Sequence, residues 1–324
     1  MSLYAYAAYS KNDGIRQSSS SGGLFSEFAD YVYSIKGFVA GAAFDEDCKT
    51  VSHILTESNT DLPKLVTSKY VQSSFNIHKE IEEKLKDGKF VLCCGTPCQI
   101  AGLKTFLKCE YDNLYAVDFI CHGTPLQKVW EKYANWQEAE HNGKITSVNF
   151  RSKENGWENY SLSISFDSRN KYSALFYKDL YMRLFLDNLS LNKNCFDCKF
   201  KGENRKSDIT LGDFWGIDEE LQKMNDDKGI SVVLINTEKG NELFEKIKSN
   251  LAFQKIDENQ ATRHNLSAVS SVKKPENYEA FMNDLDKAPF EELAKYLPKT
   301  TLKQWILRSQ ILKMCIKIKR YFLG

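Results

Sequence analysis

Apolar and polar positions along the chain follow two periods in turn. Residues 4–9 (YAYAAY) form a short apolar run closed by KNDG, which predicts a strand and then a turn. Leu24, Phe25, Phe28, Ala29, Val32 and Ile35 recur at helical spacing, predicting a helix that begins at the Ser-Gly run and stops at Gly37. FVAGAAF (38–44) and SHILTES (52–58) predict strands, KEIEEKLKDG (79–88) a polar-faced helix and KFVLCCG (89–95) a buried strand. The loop GTPC and a helix QIAGLKTFL follow. Residues 113–123 (NLYAVDFICHG) repeat the order, an apolar strand ending in a cysteine-containing turn before the helix LQKVWEKYANWQEA. Two strand-cysteine-helix units in succession predict an α/β core.

From 145 to 176 the pattern changes to alternating segments, ITSVNFRS, YSLSISFDS and YSALFY, separated by polar turns, as in an antiparallel meander. A helix, LYMRLFLDNLSL (180–191), leads into NCFDCKF. The strand ISVVLINT (230–237) and the helix KGNELFEKIKSN then restore α/β alternation, and from 256 the chain reads as mostly helical, broken at Pro275, Pro289 and Pro298. The expected fold is therefore α/β, mixed α+β: a single domain over 1–255 with an antiparallel insertion, followed by a helical C-terminal extension over 256–324.

Composition narrows the class. With 324 residues, 42% hydrophobic and 27% charged, the chain can bury a full core. Its N-terminal residues show no leader pattern and no window approaches the ~20 apolar residues of a membrane span, so a cytoplasmic protein is expected. Nine cysteines in such a chain suggest thiols, metal ligands or redox groups rather than a disulfide framework. The net charge of +1 is uneven, because residues 299–324 hold seven Lys/Arg and no Asp/Glu. The remainder is acidic overall, which argues against nucleic acid as a partner.

Cys195 and Cys198 form a C-x-x-C, a spacing that lets two thiolates bind one metal or cluster. Neither a second C-x-x-C nor a strand-to-helix dithiol context accompanies them. The best further ligands are Cys98 and Cys121, each in a Gly/Pro-containing loop just past a buried strand, and four thiolates suit an iron–sulfur cluster. A structural zinc site in a non-enzymatic assembly protein is the rival reading. Cys48, Cys109 and Cys315 are expected to be small buried apolar residues, and Cys93 to face the core of its strand. Cys94 is open between packing and touching a cluster, and His122 between a surface imidazole and a proton donor.

Anion and cofactor signals are weaker. Ser21, Gly22 and Gly23 lie in a Ser-Gly run at a helix N-terminus, where N–H groups favour phosphate, although a capped loop has the same pattern. Thr96 and Gln99 of GTPCQ, Lys69 and Gln72 of SKYVQS, Lys206, and Asp213 of SDITLGDFWGI complete the candidate flavin or substrate contacts.

The motifs SSSGGLF, SKYVQS, GTPCQIAGLK, DFICHGTP, FRSKENGW, CFDCKFKGENRKSDITLGDFWGI and DDKGISVVLINTEKG, in this order over roughly residues 5–240, resemble the coenzyme F-420 hydrogenase/dehydrogenase beta-subunit family. The resemblance implies an iron–sulfur flavoprotein with FAD. It implies a flavin-dependent oxidoreductase that passes electrons from a ferredoxin-like donor to a small-molecule or coenzyme acceptor, with a role in surface-polysaccharide biosynthesis as one setting. An F-420-reducing electron-transfer subunit of a larger complex is the alternative. By resemblance, Cys98, Cys121, Cys195 and Cys198 ligate a 4Fe-4S cluster. The closely spaced cysteines of a ferredoxin-like segment, found in longer members, have no counterpart here. The tail KTTLKQWILRSQILKMCIKIKRYFLG suits either an interfacial helix making peripheral contact with anionic lipid or a helix packed on the domain.

Overall fold

The structure, a computed structural model, describes residues 2–217 and 221–298. Its centre is four parallel strands: β2 (Phe38–Phe44), β5 (Val91–Gly95), β6 (Leu114–Phe119) and β10 (Ile209–Asp213). Val39, Leu92, Cys93, Ala116 and Val117 on these strands are fully buried, as strands covered on both faces require. Antiparallel pairing extends the sheet on one side through β11 (Ser231–Ile235), β1 (Tyr4–Ser10) and β12 (Leu251–Ile256). On the other side lie β3 (Val51–Thr56) and β4 (Ser73–Ser74), giving nine strands in the order β12-β1-β11-β10-β6-β5-β2-β3-β4.

Helices cover both faces. Leu24, Phe28 and Val32 of α2 (Leu24–Ser34), Leu65 of the short α3 (Leu62–Leu65), and Leu243, Phe244 and Ile247 of the helix Glu238–Ile247 pack with Val39, Leu92, Val117 and Val233. Across the sheet, Ile81 and Leu85 of α4 (His78–Lys86) join Ile100, Leu103 and Leu107 of α5 (Pro97–Leu107) against Ala40, Val91 and Leu114. The expected meander is a separate three-stranded sheet, β7 (Ile145–Ser152), β8 (Ser161–Phe166) and β9 (Lys171–Leu175).

Several elements differ from the pattern reading. KNDG, read as a turn, starts a helix: the Asn12 side chain accepts from the N–H groups of Gly14 and Ile15 and caps α1 (Asp13–Ser18). The next helix begins only at Leu24, after Gly23 at φ +89°, so the Ser-Gly run is an irregular loop between two helices. Strand β12 replaces what the pattern leaves unassigned; as an edge strand it exposes Phe253, Gln254 and Lys255 in succession and lacks alternation. Cys48 is buried and Cys93 fully so, as expected, but Cys109 is exposed; Cys315 and the basic tail lie outside the described residues.

Residues 278–297 contribute Phe281, Leu285, Phe290, Leu293 and Leu297 to the cluster that holds Trp130, Tyr133, Tyr181 and Met182. That part of the extension is continuous with the main core. Phe281→Ala, at a fully buried ring, should cost about 3–5 kcal/mol, read as a lower midpoint of the whole urea transition. A loosely appended segment would leave the main transition in place.

Candidate functional site

The parallel pairing of β5 and β6 sets Gly95 beside Asp118, so the two loops that follow leave the sheet side by side. After β5, Thr96 caps α5: its Oγ1 accepts from the Gln99 N–H at 3.4 Å while Gln99 Oε1 accepts from the Thr96 N–H at 2.9 Å. Pro97 occupies the first helical position, which presents the exposed Cys98 at the second. Cys121 lies two residues beyond β6. Cys195 sits in a short helical turn, Lys193–Asp197, that Asn192 caps, and Cys198 follows it. The Asn192 N–H donates to the Thr124 carbonyl at 2.8 Å, and the Thr124 N–H donates to Cys195 Sγ at 3.3 Å, tying this turn to the loop of Cys121.

All four cysteines line one cavity of about 1350 Å³ at the carboxyl ends of the parallel strands. Burial pushes the Cys121 thiol up to about 12, against the nearby Lys201 ammonium, and the Cys195, Cys98 and Cys198 thiols add to the rise. Among the described residues, no three His, Cys, Asp or Glu side chains are drawn together closely enough to hold a metal ion.

The Ser-Gly loop lines the same cavity and is held firmly. A Cβ on Gly22 would meet the Ala8 carbonyl at 2.5 Å, so only glycine lets the loop pass this close to β1. Lys153 Nζ donates to the carbonyls of Arg16, Ser21 and Lys228 at 2.7, 2.8 and 2.7 Å. Desolvation, with Arg151 adding, pushes this ammonium down to about 7. Arg16 makes two bonds to Asp226, at 2.7 and 2.6 Å, and lies over the Tyr9 ring.

Arg151, on β7, is buried with its guanidinium paired to Asp213 at 2.7 and 3.1 Å. It also donates to Tyr70 Oη at 3.1 Å and stacks 4.0 Å from the centre of the Tyr160 ring. Trp157 Nε1 donates to the same carboxylate at 2.9 Å, and Trp157 stacks on Trp215.

Lys69 turns inward: its Nζ donates to the carbonyls of Leu65, Val66 and Thr67 at 3.3, 2.8 and 3.2 Å. Desolvation pushes it down to about 7. Beside it the Cys94 thiol is pushed up to about 12 by burial, with Asp118 adding. His53 lies 3.1 Å from the Cys94 carbonyl and packs on Phe75, and burial pushes its imidazole down to about 4. His122 meets Asn188 Oδ1 at 2.7 Å and sets its ring edge to Phe185; burial lowers its pKa as well.

Of the candidate contacts, Ser21, Gly23, Lys69, Gln72, Thr96, Gln99 and Asp213 line the cavity. Gly22 is buried behind it. Lys206 is exposed and away from the cavity, whereas its neighbour Arg205 pairs with the buried Asp118 at 3.0 Å. Sequence reasoning misses Arg151, Tyr160, Tyr70 and Lys153. The one available signal is the pair of cations in NFRSK, inside a segment otherwise patterned as a half-buried strand.

Asp213→Ala should cost about 3–5 kcal/mol by leaving Arg151 buried and uncompensated, measured by urea unfolding; an unchanged midpoint would mean that the pair carries nothing. His53 predicts a pH effect. Its folded imidazole stays neutral down to about pH 4, while the unfolded side chain takes its proton near 6.5, so stability rises with pH across that window by roughly 3 kcal/mol. His53→Gln should remove that component of the slope between pH 4 and 6.5, and equal slopes in both proteins would refute the assignment.

A family profile for the C-terminal part of the coenzyme F420 hydrogenase/dehydrogenase beta subunit matches residues 88–259, just over half of the chain. No curated protein sequence matches it. Among solved structures, the F420-reducing [NiFe] hydrogenase complex from Methanosarcina barkeri, in a xenon-derivatised form, contains a similar chain, with 15% identity and a TM-score of 0.54, covering 91% of this chain and 90% of that one. The fold is thus shared along almost the whole length, and the profile match spans the Cys98, Cys121, Cys195 and Cys198 segments together with the meander: this chain belongs to the coenzyme F420 hydrogenase/dehydrogenase beta-subunit family.

Proposed function

We propose that the chain is an iron–sulfur flavoprotein that takes electrons from a ferredoxin-like donor and passes them to a two-electron acceptor. Its family is one of oxidoreductase electron-transfer subunits, in which iron–sulfur clusters are typical. The observation that carries the reading is the convergence of four cysteines, from three separate segments, on the cavity that the Ser-Gly loop also lines.

In chemistry the donor set suits a cluster, on which the four thiols would have to close from the cavity wall, since among the described residues no three ligating side chains already stand close enough to hold a metal ion. Cys98, Cys121, Cys195 and Cys198 would hold it, thiols being the soft ligands iron–sulfur groups take, and the Thr124 N–H already directed at Cys195 Sγ is the kind of backbone donor that steadies cluster sulfur. FAD fits the rest of the space. Ligand pockets are ordinarily about 300–1,000 Å³, and 1350 Å³ leaves room for more than one group. Ser19–Gly23 would offer hydroxyls and N–H groups to phosphate, and Tyr160, Phe176, Phe185 and Trp215 an apolar wall. When bound, a cluster supplies single electrons and a flavin couples them into two-electron exchange.

The chain's own residues set the surroundings. The Arg151–Asp213 pair presents no net charge to the acceptor. Lys69 and Lys153, both pushed down to about 7 by desolvation, each donate to three carbonyls, a set that only the ammonium form, with its three N–H donors, satisfies in full. The acceptor is a small molecule or coenzyme, with the deazaflavin F-420 in a larger complex as one arrangement, and the setting is the cytoplasm, where free thiols persist.

Anaerobic purification or reconstitution should yield a brown protein with about four iron and four sulfide per chain and releasable FAD. Cys195→Ser should retain less than half of the wild-type iron, while Cys94→Ser, at a thiol outside the proposed set, should retain all of it. A colourless zinc protein, or a Cys195→Ser variant with full iron and sulfide, removes the reading.

A further inference from the structure

Two segments beside the cysteines concentrate the positive charge of the described residues. Residues 193–206 and 263–274 carry eight Lys/Arg and two Asp/Glu, whereas the rest of residues 1–298 carries 29 Lys/Arg and 41 Asp/Glu; of the eight, Lys201 is buried on carbonyls and Arg205, Lys199 and Lys274 pair with Asp118, Asp197 and Glu279. The two segments form one surface. Lys201 Nζ bridges the Cys121 and Ser267 carbonyls at 2.7 and 3.0 Å, Arg205 reaches the Ala268 carbonyl at 3.3 Å, and the Cys198 N–H donates to Ser271 Oγ at 2.9 Å. On this surface Leu266 is 70% exposed and Val269 52% exposed, with Phe119 39% exposed at the cavity mouth. Lys193 and Lys199 are exposed on the cavity rim, and Lys206 is exposed one residue past Arg205. Large apolar side chains standing in solvent inside a charged border mark an interface.

We infer that this basic, apolar-centred face, built on residues 193–206 and 263–274, is the docking surface for an acidic one-electron carrier protein. The inference rests on the cluster reading above and adds to it where the donor binds and what chemistry selects it. Charge complementarity names the occupant: the face carries excess positive charge while the rest of residues 1–298 is acidic, so within the described residues an acidic protein is drawn here rather than to the remainder. Position agrees, since the face includes the backbone of Cys198 and the lysine that holds the Cys121 carbonyl. A carrier seated on it would bring its redox centre close to the four thiols.

The test uses the full chain, an acidic plant-type ferredoxin as the probe, and biolayer interferometry at low and high salt. Binding should weaken at least tenfold between ~50 mM and ~0.3 M salt, because surface charge pairs are screened over this range. K193E/K199E should weaken it about tenfold or more at low salt and flatten the salt dependence, and Leu266→Ser should weaken it severalfold with little change in that dependence. Both variants should melt as wild type does and should be reduced at the wild-type rate by photoreduced riboflavin at high salt, a donor too small to need the docking face. A cluster-bearing chain whose ferredoxin affinity ignores salt and both substitutions overturns the docking surface and leaves the cluster reading standing. The same holds if the face instead captures vesicles of anionic lipid and no ferredoxin. A chain that holds no iron overturns both.

Discussion

A buried guanidinium holds three parts of the molecule in register. Arg151 comes from the meander, its Asp213 partner from the end of the central strand β10, and Tyr70, which also accepts from it, from the segment between β3 and β4. Removing two opposite charges from water costs several kcal/mol per ion, and the attraction between them recovers this only with good geometry and with the remaining donors satisfied. The two-point contact to Asp213, the Trp157 N–H on the same carboxylate and the Tyr160 face beneath the guanidinium supply the geometry, but Arg151 Nε is buried with no hydrogen-bond partner among the described residues and adds to the cost of the pair. A pair of this kind adds little net stability compared with an apolar core. What it adds is specificity, because a meander docked one residue out of place would strand a charge.

With the meander fixed, the site follows from the sheet. In an open α/β sheet the loops at the carboxyl ends of neighbouring parallel strands converge, and β5, β6 and β10 bring Cys98, Cys121 and Asp213 to the same edge. The C-x-x-C turn arrives by a different route, tethered through Asn192 and Thr124. The turn of Cys195 is therefore held to the loop of Cys121 by contacts that do not need a ligand to be present.

The strand-cysteine-helix units were legible because a buried parallel strand is a short apolar run and its loop is rich in Gly, Pro and Thr. The meander was legible from its period of two. Strand β12 was not, since an edge strand with one face in solvent has no alternation to read, and the break between α1 and α2 was hidden because Asn and Asp serve turns and helix caps alike. The roles of single cations were the least legible. Lys69, Lys153, Arg151 and Lys206 are equivalent letters in a sequence, and only packing decides that three face carbonyls or a carboxylate inside while the fourth stands in water. Cys109 erred in the opposite sense, as an apolar-looking thiol left on the surface.

That sorting of cations separates two tasks. Lys69 and Arg151 on the cavity wall, and Lys153 behind the Ser-Gly loop, already have protein partners: Lys69 and Lys153 three carbonyls each, Arg151 the Asp213 carboxylate. Their donors are thus turned to the protein rather than to the cavity, so on the proposed reading an acceptor would be selected chiefly by shape, by aromatic surface and by backbone donors. On the rim Lys193 and Lys199, and farther out Lys206, are exposed to water, where charge acts over a Debye length of about 8–10 Å and favours the encounter of one protein with another. On the proposed reading, the acceptor could then be changed by altering a half-buried wall residue such as Phe176, and the donor by altering surface lysines, each largely apart from the other.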